Sequence, residues 1–268
     1  MDHALDLPRS VLLALWLAEP GPGSGPVQRT LDAVQGDDEP HRVEVVGATP
    51  PGLGEEGATL ADLVAAWASG PRTVAAVLPA PGDPAGTPAA VAGPAQESGE
   101  AVLITTPDGD FAAVPRVEVF GSVYEAGHLV TWRVHAVPPW QNALVGHVGT
   151  LAEAERELTT ALARATEALT TLDVARWRPD AADRIAALRS TPDARGVLPP
   201  GLEPRRVRVI GSALRLRAIV DLAAADDGAA VNLWQADQRT TALRDVDRAA
   251  RRALAVATHP GPPRARAG

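Results

Sequence analysis

Lysine and cysteine are both absent from the 268 residues, so all 25 basic side chains are arginines. Without lysine there is no P-loop lysine, no Schiff-base amine and no lysine general base. Without cysteine there is no disulfide, no thiol nucleophile and no zinc ribbon. Aromatic residues make up only 3%, which leaves alanine, valine and leucine to fill the core. Long apolar runs are also missing. Val11 to Ala18 is too short to span a bilayer. It follows Asp2 and Asp6 rather than a basic segment, so it does not read as a signal peptide, and a cytoplasmic protein is expected.

Hydrophobic residues reach 46%, enough for a folded chain of one large or two modest domains. Charge is divided unevenly. Residues 1–148 carry 18 acids and 6 arginines, net −12; residues 149–268 carry 15 acids and 19 arginines, net +4; together they give −8. A basic half can signal nucleic acid, but two mutually attracting domains is the plainer reading.

The clearest element is Thr150 to Trp177, which separates these halves. Thr150 with Glu153 forms a capping box. Leu151, Leu158, Ala165 and Leu172 recur every seven residues, Ala154, Ala161, Ala168 and Ala175 follow each by three, and Leu162 and Leu169 widen the stripe. This spacing predicts an amphipathic helix. Further helices are expected over Pro179 to Arg189, along Val207, Ile210, Leu214, Ala218 and Leu222, and from Ala229 to Ala257. That makes a four-helix domain over 149–258, followed by a disordered tail at 259–268.

The first half reads as a small mixed-sheet α/β domain, 1–148, and the chain as a whole as α+β. Leu7 to Leu17 is a short buried helix, and Val27, Leu31 and Val34 mark a second. A strand over 42–46, a helix from the Thr59–Asp62 capping pair to Gly70, and a strand over 73–78 spell a βαβ unit with parallel strands. PAPGDPAGTPAAVAGPAQESG (79–99) reads as a long loop, either functional or mobile. A hairpin follows through PDGD, its second strand broken at Pro115. After a turn at 125–127, Val130, Trp132 and Val134 alternate with Thr131, Arg133 and His135 as in a half-buried strand. PPW (138–140) closes the domain.

Candidate chemistry is sparse. His128, His135 and His147 are near in sequence, but the interval of seven puts the first two on opposite faces of a strand, and no metal site is assigned. Asp37, Asp38 and Glu39 read as a solvated turn rather than a cation loop. Ser24 and Ser122 lie outside any nucleophile elbow. GDPAGTP (82–88) lacks the lysine of a phosphate loop. No catalytic residue and no cofactor is assigned. If the two strands are parallel, loops 47–58 and 79–99 leave their carboxyl ends together, where open α/β sheets hold ligands. Glu55, Glu56, Asp83 and Thr87 are the polar groups those loops would offer. Arg244, Arg248, Arg251 and Arg252 form a basic stripe on the last helix, interrupted by Asp245 and Asp247.

RWRPDAADRIAALR, ALRLRAIVDLAAADDGAAV, ALRDVDRAARRAL and the opening ALDLPRSVLLALWLA resemble segments of an actinobacterial, high-G+C protein family with no assigned function. The resemblance implies no activity and transfers no site residue. The expected function is therefore that of a non-enzymatic binding or regulatory protein whose partner is another protein or a second copy of itself. The alternatives are a small-molecule binder or enzyme using the two Gly/Pro loops, and nucleic-acid binding through the Arg-rich helices.

Overall fold

The computed structural model describes residues 7–19, 24–54, 57–122, 125–171, 197–224 and 233–259. The chain divides into two compact units. One holds Leu7–Val148 with Arg195–Leu202 and the residues from Thr258 onward; the other holds Gly149–Ala194, Glu203–Ala257 and the first six residues. The α+β class expected from the sequence is what the chain adopts.

The first unit is built on a five-stranded mixed sheet of β1 (Arg42–Val46), β2 (Thr73–Val77), β3 (Ala101–Thr106), β4 (Gly109–Ser122) and β5 (Glu125–Ala136), in the order β1-β5-β4-β3-β2. Its helices are α1 (Arg9–Ala18), α2 (Ser24–Gln35), α3 (Leu60–Ala68), α4 (Ala92–Ser98) and α5 (Gln141–Val148). α1 packs on β2, β3 and β4, and α3 on β1. Val130, Trp132 and Val134 are buried on one face of β5, with Val43 in register with Trp132. On the other face Glu44 pairs with Arg133 at 3.6 Å. The predicted alternation on β5 is present, and so is the capping box of α3, where Asp62 N donates to Thr59 Oγ1 and Thr59 N to Asp62 Oδ2.

The strand–helix–strand succession is also present, but the parallel βαβ pairing is not. β1 pairs in parallel with β5, and β5, β4, β3 and β2 alternate in direction. β2 therefore runs antiparallel to β1, at the opposite edge of the sheet. The cause lies in segment 47–58. It doubles back along β1, so that Val43 N donates to Ala58 O and Leu60 N to His41 O. This returns the chain to the start of β1 before α3 begins; α3 then runs alongside β1 and β2 comes back the other way.

Three other expectations are corrected. Segment 79–99 is not a structureless loop: an Ala80–Asp83 bridge, a 3-10 turn at Ala89–Val91 and α4 fold it down on buried Ala85, Val91 and Ala95. β4 is not broken at Pro115, which pairs with Trp132. The carbonyl of Pro115 accepts from Ser98 Oγ on the side away from β5. In a strand the N and O of one residue point the same way, so the missing N–H costs no bond to β5. And α5 follows PPW, where no helix was expected; only Leu144 and Val148 are buried in it, with Gly146 between, so its periodicity is faint.

A single arginine joins two helix ends. Arg72 donates to Leu17 O (2.5 Å) and Glu19 O (3.0 Å) at the end of α1, and to Ala68 O (3.1 Å) and Gly70 O (3.0 Å) at the end of α3. The last carbonyls of a helix lack intrahelical donors and carry its negative dipole end. One guanidinium answers both. The edge strand β2 is satisfied in a similar way, because Ala76 N donates to Thr258 Oγ1 at 2.8 Å.

The second unit contains α6 (Leu151–Thr171), α7 (Pro204–Ala224) and α8 (Leu233–Thr258, of which Thr258 belongs to the first unit). The expected helix at 179–189, the end of the one at 150–177 and the tail beyond 259 lie outside the described residues. Thr150 and Glu153 make the predicted reciprocal cap. Ala154, Leu158 and Ala161 are buried at helical spacing. Leu162, expected to widen that stripe, is 47% exposed. α7 buries Val209, Ile210, Ala213, Leu214 and Leu216 on one broad arc; Ile219 and Val220, expected to make it apolar almost all round, are half-buried. Arg205 on α7 holds Glu155 on α6 through Nε at 3.0 Å and Nη2 at 2.5 Å.

Candidate functional site

The densest polar cluster centres on Asp38, a residue read from sequence as part of a solvated turn. The turn leaving α2 places it there, with Asp38 N donating to Gln35 O. Its carboxylate accepts from Arg9 Nε (2.9 Å) and Nη2 (2.5 Å), meets His41 Nε2 at 3.2 Å, and meets His128 Nδ1 at 2.9 Å. Trp132 Nε1 lies 3.1 Å from His41 Nδ1. An indole N–H can only donate, so Nδ1 of His41 is the acceptor, and its proton sits on Nε2, facing Asp38. Burial holds the pKa of His41 below the ordinary imidazole range, against the opposing pull of Asp38. Burial would raise the carboxyl of Asp38, but the hydrogen bonds from Arg9, His41 and His128 outweigh it and hold its pKa down.

Around His41 and Asp38 this cluster is closed. Both nitrogens of His41 are engaged, and the two oxygens of Asp38 receive four contacts. The arrangement fastens α1, the turn after α2 and β5 to one another. His128 gives only Nδ1 to Asp38, and its side chain is 38% exposed. Sequence reasoning had His128 and Asp38 in separate groups because 90 residues part them.

The loop residues proposed for a ligand site fare differently. Glu55 and Glu56 lie outside the described residues. Asp83 is buried, accepts from Ala85 N at 3.3 Å, and has His147 Nε2 at 3.4 Å. Next to it Ala85 takes a left-handed φ of 52° and Gly86 follows at 75°. A side chain at Gly86 would press on Leu144 and His147 at 3.4 Å, so this bend is set by close packing on α5. Thr87 is half-buried in the same bend. Loops 47–58 and 79–99 belong to opposite edges of the sheet, four strand spacings or roughly 19 Å apart. The structure does not bring them together. His135 points to the opposite face of β5 from His128, and His147 is on α5. Among the described residues no group of three or more His, Cys, Asp or Glu is placed to hold a metal ion.

The basic stripe of α8 is largely answered within its own unit. Arg251 is buried with Asp247 at 2.7 Å, Arg252 reaches Glu157 on α6 at 3.3 Å, and Arg248 lies 3.7 Å from Asp245. Arg244 is exposed.

One surface feature was not anticipated. Beyond Pro115 the β4–β5 hairpin continues as a two-stranded ribbon, with β4 residues 116–122 in register with β5 residues 125–131. β3 pairs with β4 only as far as Ala113. No described strand lies beside the outer edge of residues 116–122. On this ribbon Val119 is 68% exposed, Phe120 44%, Leu129 42% and Val117 38%. Phe120 lies across Gly127, where a β-carbon would come within 2.5 Å of its ring. The sequence signal for the ribbon was the run VEVF followed by HLV; a turn was expected at 125–127, where β5 has already begun.

A mixed sheet with helices, followed by a helical unit and carrying one projecting apolar ribbon, defines a two-domain α+β protein. Residues 10–145 match the N-terminal domain, and residues 152–255 the C-terminal domain, of the Rv1486c-like proteins. The chain belongs to the Rv1486c-like family, whose name comes from a mycobacterial protein. No curated protein and no solved structure matches the chain. Among the described residues no helix is long and apolar enough to cross a membrane.

Proposed function

We propose that this is a non-enzymatic binding protein that acts through protein–protein contacts, with the β4–β5 ribbon as its contact surface. The observation that carries the reading is the exposure of Val117, Val119, Phe120 and Leu129 on one hairpin that runs past the rest of the sheet. Exposed apolar side chains clustered on one element, rather than scattered, mark interaction surfaces. A free strand edge beside them adds a row of backbone donors and acceptors that another chain can pair. Within the Asp38 cluster, His41 and the carboxylate are engaged in holding the fold. Pairing of Arg248, Arg251 and Arg252 with carboxylates weakens the nucleic-acid alternative.

The test is a photo-crosslinking amino acid placed at position 119 in one strain of the native host and at position 145 in another. Val145 is also exposed, but it lies on α5, away from the ribbon. Protein adducts at 119 that are absent at 145, and that fade when Phe120 is replaced by Lys, are the expected result. Equal labelling at both positions, or none at 119, would overturn the assignment.

A further inference from the structure

We infer that the ribbon's partner is a second copy of this chain, joined by two-fold antiparallel pairing of the outer edges of β4 around Val119. The inference rests on the reading of the ribbon as the contact surface and names its occupant. Backbone direction along β4 is fixed at two points. Asp110 O accepts from Val137 N on the β5 side, whereas Pro115 O accepts from Ser98 on the far side. Alternation then turns the N–H and C=O groups of Val117, Val119 and Gly121 outward, away from β5.

The other strand edges are each engaged at one or more points. Residues 58–60 lie along β1, Thr258 takes the N–H of Ala76 on β2, and Asp38 meets His128 where β5 runs past β1. The outward groups of Val117, Val119 and Gly121 on β4 are left, and Val119 is the middle one of the three. Natural edges are blunted by lysine, proline or inward charge. Past Pro115 this edge has no lysine or proline, and its two charges, Arg116 and Glu118, pair with each other at 3.0 Å.

A two-fold centred on Val119 makes the whole stretch self-complementary. Val119 faces Val119 of the second copy, Val117 faces Gly121, Glu118 faces Phe120, and Arg116 faces Ser122. No like charges oppose, and a glycine makes room for each Val117. A centre at Glu118 would set two carboxylates against each other. A centre at Val117 would set Val119 against Pro115, which has no N–H and whose carbonyl is already taken by Ser98. A centre at Phe120 leaves the outward groups of Val117 without a described partner. Isologous contacts of this kind close after two copies. Pairing one short strand edge is a small contact, and the expected dimer dissociates in the micromolar range.

The experiment uses the full chain in analytical ultracentrifugation from about 1 to 200 µM, bracketing that range. Val119→Lys and Val119→Pro should each raise the dimer dissociation constant at least about tenfold, which is the loss of roughly 1.4 kcal/mol. The proline variant removes an outward N–H that β5 does not use, and the lysine variant leaves the backbone intact, so one of them retains the fold if the other does not. Because the chain has no cysteine, Val119→Cys and Val145→Cys each supply a single thiol. A short bis-maleimide should join two copies through position 119 and not through 145. A chain that stays monomeric, or a dimer indifferent to position 119, overturns the inference. If the chain is monomeric yet the crosslinker at 119 still captures a different protein in the host, this inference fails while the contact-surface reading stands.

Discussion

The indole N–H of Trp132 donates to Nδ1 of His41 across 3.1 Å, in the buried layer between the sheet and its helices. That one contact decides the tautomer of His41, and through it the direction of the His41–Asp38 hydrogen bond. Trp132→Phe would keep the apolar bulk and remove the donor, leaving a buried ring nitrogen without a partner. The expected loss is about 1–3 kcal/mol of stability, read as a lower urea midpoint with an unchanged slope.

The same cluster sets an acid sensitivity. His41 has a folded pKa held below its unfolded value, so the unfolded chain takes up a proton first as pH falls. Its contribution is intact above about pH 6.5 and is lost on acidification toward the folded pKa. Asp38 behaves as a carboxylate with a depressed folded pKa. Its contribution is present above about pH 3.9 and is lost as pH falls through the lower folded value. The urea midpoint should therefore fall in two stages between pH 7 and pH 3. His41→Gln should flatten the first stage and leave the second. His135, also held low by burial and by Arg133 against the pull of Glu44, leaves some slope behind. A first stage unchanged in His41→Gln would contradict this account.

Arg72 is the second fastening. Its side chain reaches four carbonyl oxygens across the ends of α1 and α3, a fork that lysine cannot reproduce. Arg72→Lys should cost about 2–4 kcal/mol, since hydrogen bonds from a charged group contribute about 1.5–3 kcal/mol each and a lysine ammonium can keep one or two. Hydrogen exchange localises the effect: amides in the last turns of α1 and α3 should lose protection before those of the sheet. A thermal midpoint within 2–3 °C of the parent would be too small for a loss of this size in a chain of this length, on the order of 2–4 °C per kcal/mol.

What the sequence disclosed and what it hid divide along contact range. Thr59 with Asp62 and Thr150 with Glu153 satisfy each other three residues apart, so both helix starts were legible. The alternation of Val130, Trp132 and Val134 was legible because one buried face has a period of two. Strand order was not, because the slot beside β1 is taken by β5, whose Thr131 pairs with Arg42 from 89 residues away. Local spacing shows that the chain returns to the sheet, not where. The same holds for the candidate site. Asp38, His41 and Arg9 looked like a polar turn and a helix start until α1 and β5 closed on them. Pro115 misled for the opposite reason: its rule depends on which side of the strand its nitrogen faces, which pairing with β5 sets, and on whether β3 still runs there, which it does not.

The helical unit offers the sharpest comparison of two similar residues. On α6 the buried lane is Ala154, Leu158 and Ala161, at steps of four and three, which brings them onto one face. Leu162 sits one position past that lane, and at 47% exposure its side chain keeps water contact. Seven-residue recurrence set Leu158 in the stripe and Leu162 was expected to widen it, but a straight helix advances 100° per residue and the stripe is only as wide as its cover. Leu158→Asp would bury a carboxylate in that lane without a partner, at several kcal/mol, enough to abolish cooperative melting of a marginal domain. Leu162→Asp should stay within about 0.5 kcal/mol of the parent, as surface substitutions usually do. Parallel thermal melts of the two full-length variants decide it. If Leu162→Asp proves as damaging as Leu158→Asp, a further element covers α6 on that side.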